Sequence, residues 1–434
     1  MAKKKTQDRM VIIDGVRTPF CKMGSDFAAL GADELGRVAV QGLLARTGID
    51  PEIIDEVIMG CVGQPVDAAN VSRVIALRAG IPRSVPAITV HRNCASGCEA
   101  ITQARQKMAA GDGEVFVVGG AESMSQYPLV YKFSTAAKFA LLNRARTPAR
   151  KLKAMTAFRP ADFEPRIGLK LGLSDPVCGL NMGETAELIG REAGITRLMQ
   201  DEFSVTSHQR AVAARERLAE EITPLYVPPR YKKVVTEDNG PRADQSVEIL
   251  ATKLKPVFDR TSGTVTAGNA SQITDGAVAL LVMSESKARE LKLKPIGVLS
   301  AYSYAACDPS RMGLGPLYAI ARAEKQSGLK LADADLIEIN EAFAAQVLAV
   351  MHNATSKEFA QRELGRDKAL GEIPSAKLNV NGGAIALGHP VGSTGARLVL
   401  TLLKELRRRK KKRGLASLCV GGGQGAALWV EALA

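Results

Sequence analysis

Large aromatic side chains are scarce: Phe, Trp and Tyr make up 4% of the 434 residues, with a single Trp, and there are only four His. No apolar run approaches the ~18 residues of a membrane-spanning helix, and the longest blocks, such as residues 277–283, have the size of a buried strand. The seven cysteines (21, 61, 94, 98, 178, 307, 419) are odd in number and lack the spacing of a secreted disulfide domain. No hydrophobic signal follows Met1, and the end at Glu431-Ala432-Leu433-Ala434 is not a peroxisomal Ser-Lys-Leu. Together these absences argue against a spanning protein, a disulfide scaffold and a Cys/His metal site, and favour a reducing, cytoplasmic setting.

What is present is a globular composition, 46% hydrophobic and 24% charged, with mean hydropathy −0.01. The length suits two to four domains at roughly 150 residues each. Net charge is +13, but it is concentrated. Residues 132–170 hold ten basic and two acidic side chains (net +8), and residues 404–413 hold eight basic and one acidic (net +7). The remainder carries −2. A nucleic-acid face would spread positive charge among stacking aromatics, so an anionic surface or a phosphorylated ligand is the better expectation. The second run lies at a helix C-terminus, where cations are favoured, and reads as solvated, as does the basic start at residues 1–5.

An internal repeat organises the chain. Residues 48–60 and 328–340 share length and pattern, each with Asp at the eighth place (Asp55, Asp335) before an apolar strand. Further on, Cys94-Ala-Ser-Gly97 and Gly392-Ser-Thr-Gly395 each open a helical pattern that leads to a β-rich run ending in glycines. The offset grows from 280 to 298, placing an insertion in the polar stretch 352–375. Alternating strands and helices predict right-handed βαβ crossovers, and the repeat predicts a duplicated α/β fold. The first half spans 1–122 and is completed by about 257–292; the second spans 293–434. Between them, residues 123–256 form an excursion that carries the basic insert and one clear helix from Thr196 to Arg217.

Cys94 follows the strand-like residues 86–91 and precedes a helix, so its side chain is expected at a helix N-terminus, where the dipole favours thiolate. An inert buried thiol is the bland alternative. His389 sits in a glycine-dense run, residues 379–397, and suits a general base; an incidental turn histidine is the alternative. Cys419 ends a strand before Gly421-Gly-Gly-Gln-Gly425, where the Gly421 amide is free to meet an oxyanion. A dinucleotide turn is rejected there because no helix with an acidic residue follows. Asn340 caps a helix or faces a site. His91, His208 and His352 read as structural or surface residues.

Residues 17–19, 84–87, 93–97, 119–124, 182–187, 263–271, 340–343, 388–390 and 419–423 together resemble the thiolase family over nearly the whole chain. The resemblance implies a duplicated αβαβα five-layer fold with an inserted loop domain. It implies that Cys94 is acylated, that His389 deprotonates it, and that Cys419 protonates the departing enolate. Asn340 with His389, and the amides of Cys94 and Gly421, would hold the thioester oxygens, with Ser271 and Met182 on the coenzyme A side. Coenzyme A is then a substrate, no cofactor is bound permanently, and no nucleic acid is involved.

The expected reaction is thiolytic cleavage of a 3-ketoacyl-CoA to acetyl-CoA and a shortened acyl-CoA, as in fatty-acid β-oxidation. Acetoacetyl-CoA synthesis by an acetyl-CoA acetyltransferase and a non-catalytic basic binding module are the alternatives. The family implies a homodimer or dimer of dimers. Residues 143–153 and 359–365 resemble the β-subunit of fatty-acid oxidation trifunctional complexes. That likeness makes a hydratase/dehydrogenase α-subunit and a peripheral membrane contact through 132–170 candidate partners.

Overall fold

Strands such as Val115–Glu122 and Thr274–Ser284 are buried along their whole length, and a sheet buried on both faces needs a helix layer on each side. The computed structural model describes residues 8–433; the basic start at residues 1–5 lies outside the described residues. Its main strands are β1 (Met10–Arg17), β2 (Glu56–Gly60), β3 (Ala87–Val90), β4 (Val115–Glu122), β5 (Thr274–Ser284), β6 (Gly297–Ala306), β7 (Leu336–Ile339), β8 (Arg413–Val420) and β9 (Gln424–Ala432). They run β7-β8-β9-β6-β1-β5-β4-β2-β3, with the short strand Cys21–Lys22 attached to β5.

The repeat is visible in this order. Outward from the centre, each half has two antiparallel pairings (β1–β5 and β5–β4; β6–β9 and β9–β8) and then a parallel one (β4–β2; β8–β7). Where the first half adds β3 beside β2, the second has a single parallel bridge, Ile337 to Leu378. Among the described residues, the half-sheets are joined edge to edge through two residue pairs, Val11 with Val298 and Ile12 with Gly297.

The helices that cover the sheets are α1 (Ala32–Thr47), α2 (Val71–Ala79), α3 (Ser96–Ala110), α4 (Arg197–Ala213), α5 (Gly315–Ser327), α6 (Ala344–Ala354) and α7 (Thr394–Arg408). Three hydrophobic clusters mark the layers. One packs α1 and α2 on the first half-sheet, a second holds α3 and α7 between the half-sheets, and a third packs α5 and α6 on the second. This is the five-layer αβαβα arrangement. Helix α7 is buried nearly all round, as a helix in a central layer must be.

Two repeat positions do the same work in both halves. The Asp55 carboxylate accepts the amides of Glu114 and Val115, at the start of β4. Asp335 accepts those of Lys412 and Arg413, at the start of β8. At the centre, the starts of α3 and α7 meet through reciprocal glycines. A Cβ at Gly97 would lie 2.7 Å from the Ala396 amide nitrogen, and one at Gly395 would lie 2.6 Å from that of Cys98. Only glycine permits this approach.

The excursion holds more helix than expected. Besides α4, capped by Thr196, it contains Phe133–Arg144, Pro148–Met155, Gly168–Gly172, Met182–Glu192, Arg215–Ala219 and Val247–Lys253. The first of these buries only Thr135 and carries apolar residues nearly all round, and the second buries nothing and is 8 residues long, shorter than the window of roughly 11–18 residues over which a helical period is read. The Thr147 cap and Pro148 at the first helical position were the available signal for the second.

Candidate functional site

Cys94 lies between β3 and α3, in a turn that requires Asn93 to adopt φ 43°. The Asn93 side chain donates to the Gly421 carbonyl at 2.7 Å, tying this turn to the loop that follows β8. Near the end of β8 itself, Cys419 is fully buried against Met312 and Ala342. His389 comes from a third loop. It follows Gly388 at φ 99°, where a Cβ would also collide with Thr274, and its own amide is held by the Gln272 carbonyl and Thr274 hydroxyl. Asn340 follows β7, with its amide on the Ser417 carbonyl.

The hydrogen bonds of His389 define its tautomer. Thr394 Oγ1 lies 2.6 Å from His389 Nδ1 and 2.9 Å from the Pro390 carbonyl. The carbonyl can only accept, so the single hydroxyl proton goes to it and Nδ1 must carry the ring proton. Nε2 is thereby left with its lone pair, 3.3 Å from Asn340 Nδ2. Burial, reinforced by the Arg397 charge, pushes the ring pKa down to about 3. The imidazole is neutral, with Nε2 as its acceptor nitrogen.

The expectation that the helix N-terminus makes Cys94 a thiolate is not met. Burial pushes this thiol above its ordinary value; hydrogen bonds from the Gly421 and Cys94 amides oppose the rise, and the Glu122 charge adds to it. Those bonds nevertheless place the sulfur at two amide donors. Burial also raises Cys419, and the neighbouring Cys94 contributes. The resting site is therefore two thiols and a neutral imidazole rather than an ion pair.

Two chambers share walls at Met124, Leu173, Met182, Ser271, Phe343 and His389. The first, about 540 Å³, contains Cys94, Cys419, Gly421 and Asn93, and has apolar walls that include Leu169, Leu171 and Val177. The second, about 590 Å³, adds Lys22, His208, Arg242 and Gln245. Ser271 and Met182 thus stand at the junction. Asn340 meets His389 on its Nε2 side, and its Oδ1 is buried without a partner. His208, read from sequence as structural or surface, forms part of the second chamber's wall, and His91 part of the first. Asn93, Thr394, Lys22 and Arg242 were not singled out from sequence. Thr394 had a signal, five residues past His389 at a helix start, whereas Lys22 and Arg242 are brought together only by the fold.

None of the ten basic residues of 132–170 lines either chamber. Five of them, Lys138, Arg144, Arg150, Lys151 and Lys153, lie on the helices Phe133–Arg144 and Pro148–Met155, which also carry exposed apolar side chains, among them Phe133 (94% exposed), Leu141 and Leu152.

A neutral imidazole and two thiols on the wall of one chamber, amide donors at the Cys94 sulfur and a second adjoining chamber define an enzyme built for thioester acyl transfer. The chain belongs to the thiolase family: residues 10–286 match its N-terminal domain and residues 293–432 its C-terminal domain. The chain is 43% identical over 427 residues to a 3-ketoacyl-CoA thiolase of Pectobacterium carotovorum subsp. carotovorum (strain PC1), covering 98% of this chain and 97% of that one. A 3-ketoacyl-CoA thiolase of Serratia proteamaculans (strain 568) matches at the same identity and coverage. Among solved structures, the Bacillus anthracis acetyl-CoA acetyltransferase superposes with TM-score 0.85 at 39% identity, covering 98% of this chain and 99% of that chain. Human mitochondrial 3-ketoacyl-CoA thiolase superposes at 0.84 and 35% identity, covering 99% and 100%.

Proposed function

We propose that the chain is a 3-ketoacyl-CoA thiolase of fatty-acid β-oxidation, an acetyl-CoA C-acyltransferase. The observation that carries the reading is the convergence of Cys94, Cys419 and His389, whose Nε2 is the ring's unprotonated nitrogen, on one chamber. His389 takes the Cys94 proton, and the sulfur attacks the 3-keto carbon. Amides of Cys94 and Gly421 receive the developing oxyanion. The C2–C3 bond breaks, leaving an acyl thioester on Cys94, and the acetyl-CoA enolate takes its proton from Cys419. A second coenzyme A then gives its thiol proton to the Cys419 thiolate and attacks the acyl-enzyme, and the released Cys94 sulfur recovers its proton from His389. Coenzyme A enters through the second chamber, where Lys22 and Arg242 meet its phosphates and Ser271 and Met182 its arm.

The acyl chain follows the leucines at 169, 171 and 173. Replacing Cys94 with Ala is expected to lower thiolysis at least about a thousandfold; full activity would overturn the assignment. Assaying 3-ketoacyl-CoAs of four to sixteen carbons separates this reading from acetoacetyl-CoA synthesis, which the likeness to the Bacillus anthracis acetyltransferase favours.

No helix of the described residues is long and apolar enough to cross a membrane. The free, scattered cysteines support a cytoplasmic setting, and the family supports a homodimer or dimer of dimers. The exposed, basic and apolar helices of 132–170 support peripheral contact with an anionic lipid surface. A hydratase/dehydrogenase α-subunit rests on the likeness of residues 143–153 and 359–365 alone.

A further inference from the structure

Among the described residues, Glu122 has no Lys or Arg partner although it is fully buried, and an uncompensated buried carboxylate costs several kcal/mol. Four donors converge on it instead. Oε2 accepts the amides of Val62 at 3.0 Å and Gly392 at 2.8 Å, and Oε1 accepts the Gly63 amide at 2.7 Å and the Tyr127 hydroxyl at 3.2 Å. Val62, Gly63 and Tyr127 lie on the Cys94 side of the molecule, whereas Gly392 lies three residues beyond His389. Nucleophile and base come from different halves of the chain, and one carboxylate spans the seam beside them. A glycine cradle completes the grip: Cβ atoms at Gly60 and Gly120 would lie 2.7 and 2.1 Å from the Gly392 carbonyl oxygen.

Resting on the thiolase reading, we propose that Glu122 is a positioning residue: its carboxylate fixes the His389 loop against the Cys94 half and sets the thiol-to-imidazole geometry. The ionisable groups facing it are Tyr127, Cys61 and Cys94, and His389 and Cys419 border the same chamber. The carboxylate also opposes ionisation of Cys94, so position and charge can be tested apart. Glu122→Gln turns an acceptor into a donor opposite an amide and removes the charge. Glu122→Asp keeps the charge but is too short to span the seam.

The readouts are steady-state thiolysis and the pH dependence of Cys94 alkylation by iodoacetamide. Both variants should lose about a hundredfold in kcat, since ångström-scale misplacement costs this much, with KM for coenzyme A changed less than about threefold. The alkylation midpoint should fall for Glu122→Gln and hold for Glu122→Asp. Wild-type kcat in either folded variant, a rise in KM as large as the fall in kcat, or an identical midpoint shift in both overturns the proposal, as does failure of both to fold. Alkylation needs no acyl-CoA, so absent wild-type thiolysis would defeat the functional reading without deciding the role of Glu122.

Discussion

Two buried histidines show how side-chain environment becomes a measurable property. Burial pushes His389 down to about 3 and His208 down to about 4, while an unfolded histidine titrates near 6.5. Between those values the unfolded chain binds a proton that the native ring refuses, so each ring subtracts stability as pH falls, by up to about 1.4 kcal/mol per pH unit. Glu338 acts in the opposite direction. Burial raises it to about 7 despite Arg397, so the native state holds a proton there that the unfolded chain has released. The net slope of the wild type mixes these contributions, whereas a difference isolates one. Urea unfolding of His208→Gln relative to wild type should therefore show the variant gaining on its parent as pH falls from 6.5 to 4. A difference independent of pH would show that His208 is charged in the native state.

Among the elements, the paired aspartates are the clearest instance of sequence repeat becoming shared function. Asp55 and Asp335 each receive two backbone amides that begin a neighbouring strand. Replacing either with Ala should cost about 1–2 kcal/mol, measured by chemical denaturation, and should leave thiolysis unchanged. A loss confined to one of the two would mean that the repeat is equivalent in pattern but not in energetics. The pairing was legible in sequence because strand and aspartate recur at fixed spacing, and so were β2, β3, β4, β5, β7 and β8, the two central helices and the turns bearing Cys94, His389 and Cys419; β1, β6 and β9 were not read from sequence. The insert helices were not, because one carries apolar residues nearly all round and the other is only 8 residues long, so neither marks a core-facing stripe. The thiol state of Cys94 was not legible either: a helix N-terminus can be read from order along the chain, but the desolvating walls that outweigh it come from the other half and the excursion. Lys22 and Arg242 escaped notice for the same reason, being separated by more than two hundred residues.

For the molecule as a whole, the net charge resolves into separate regions. The basic stretch near the C-terminus is partly neutralised internally, with Glu405 bonded to Arg408 and Arg409, and Glu220 to Arg408. The insert keeps Arg150, Lys151 and Lys153 exposed beside Leu152 and Met155. With about 1 kcal/mol per basic residue near an anionic surface, neutralising these three to Gln should weaken sedimentation with phosphatidylserine vesicles at least tenfold and leave KM for coenzyme A unchanged. An altered KM with unchanged vesicle binding would move the insert to the nucleotide. The duplicated scaffold offers two equivalent helix starts, yet they have diverged. Cys94 occupies the first, whereas its counterpart Gly392 cannot take any side chain, since a Cβ there would lie 2.8 Å from Glu122 Oε2 and 2.9 Å from the Cys61 Cα. If Cys94 is the nucleophile proposed above, the doubled framework gives one helix start to chemistry and the other to alignment, and a second nucleophile cannot be grafted at the mirror position without prising the first site apart.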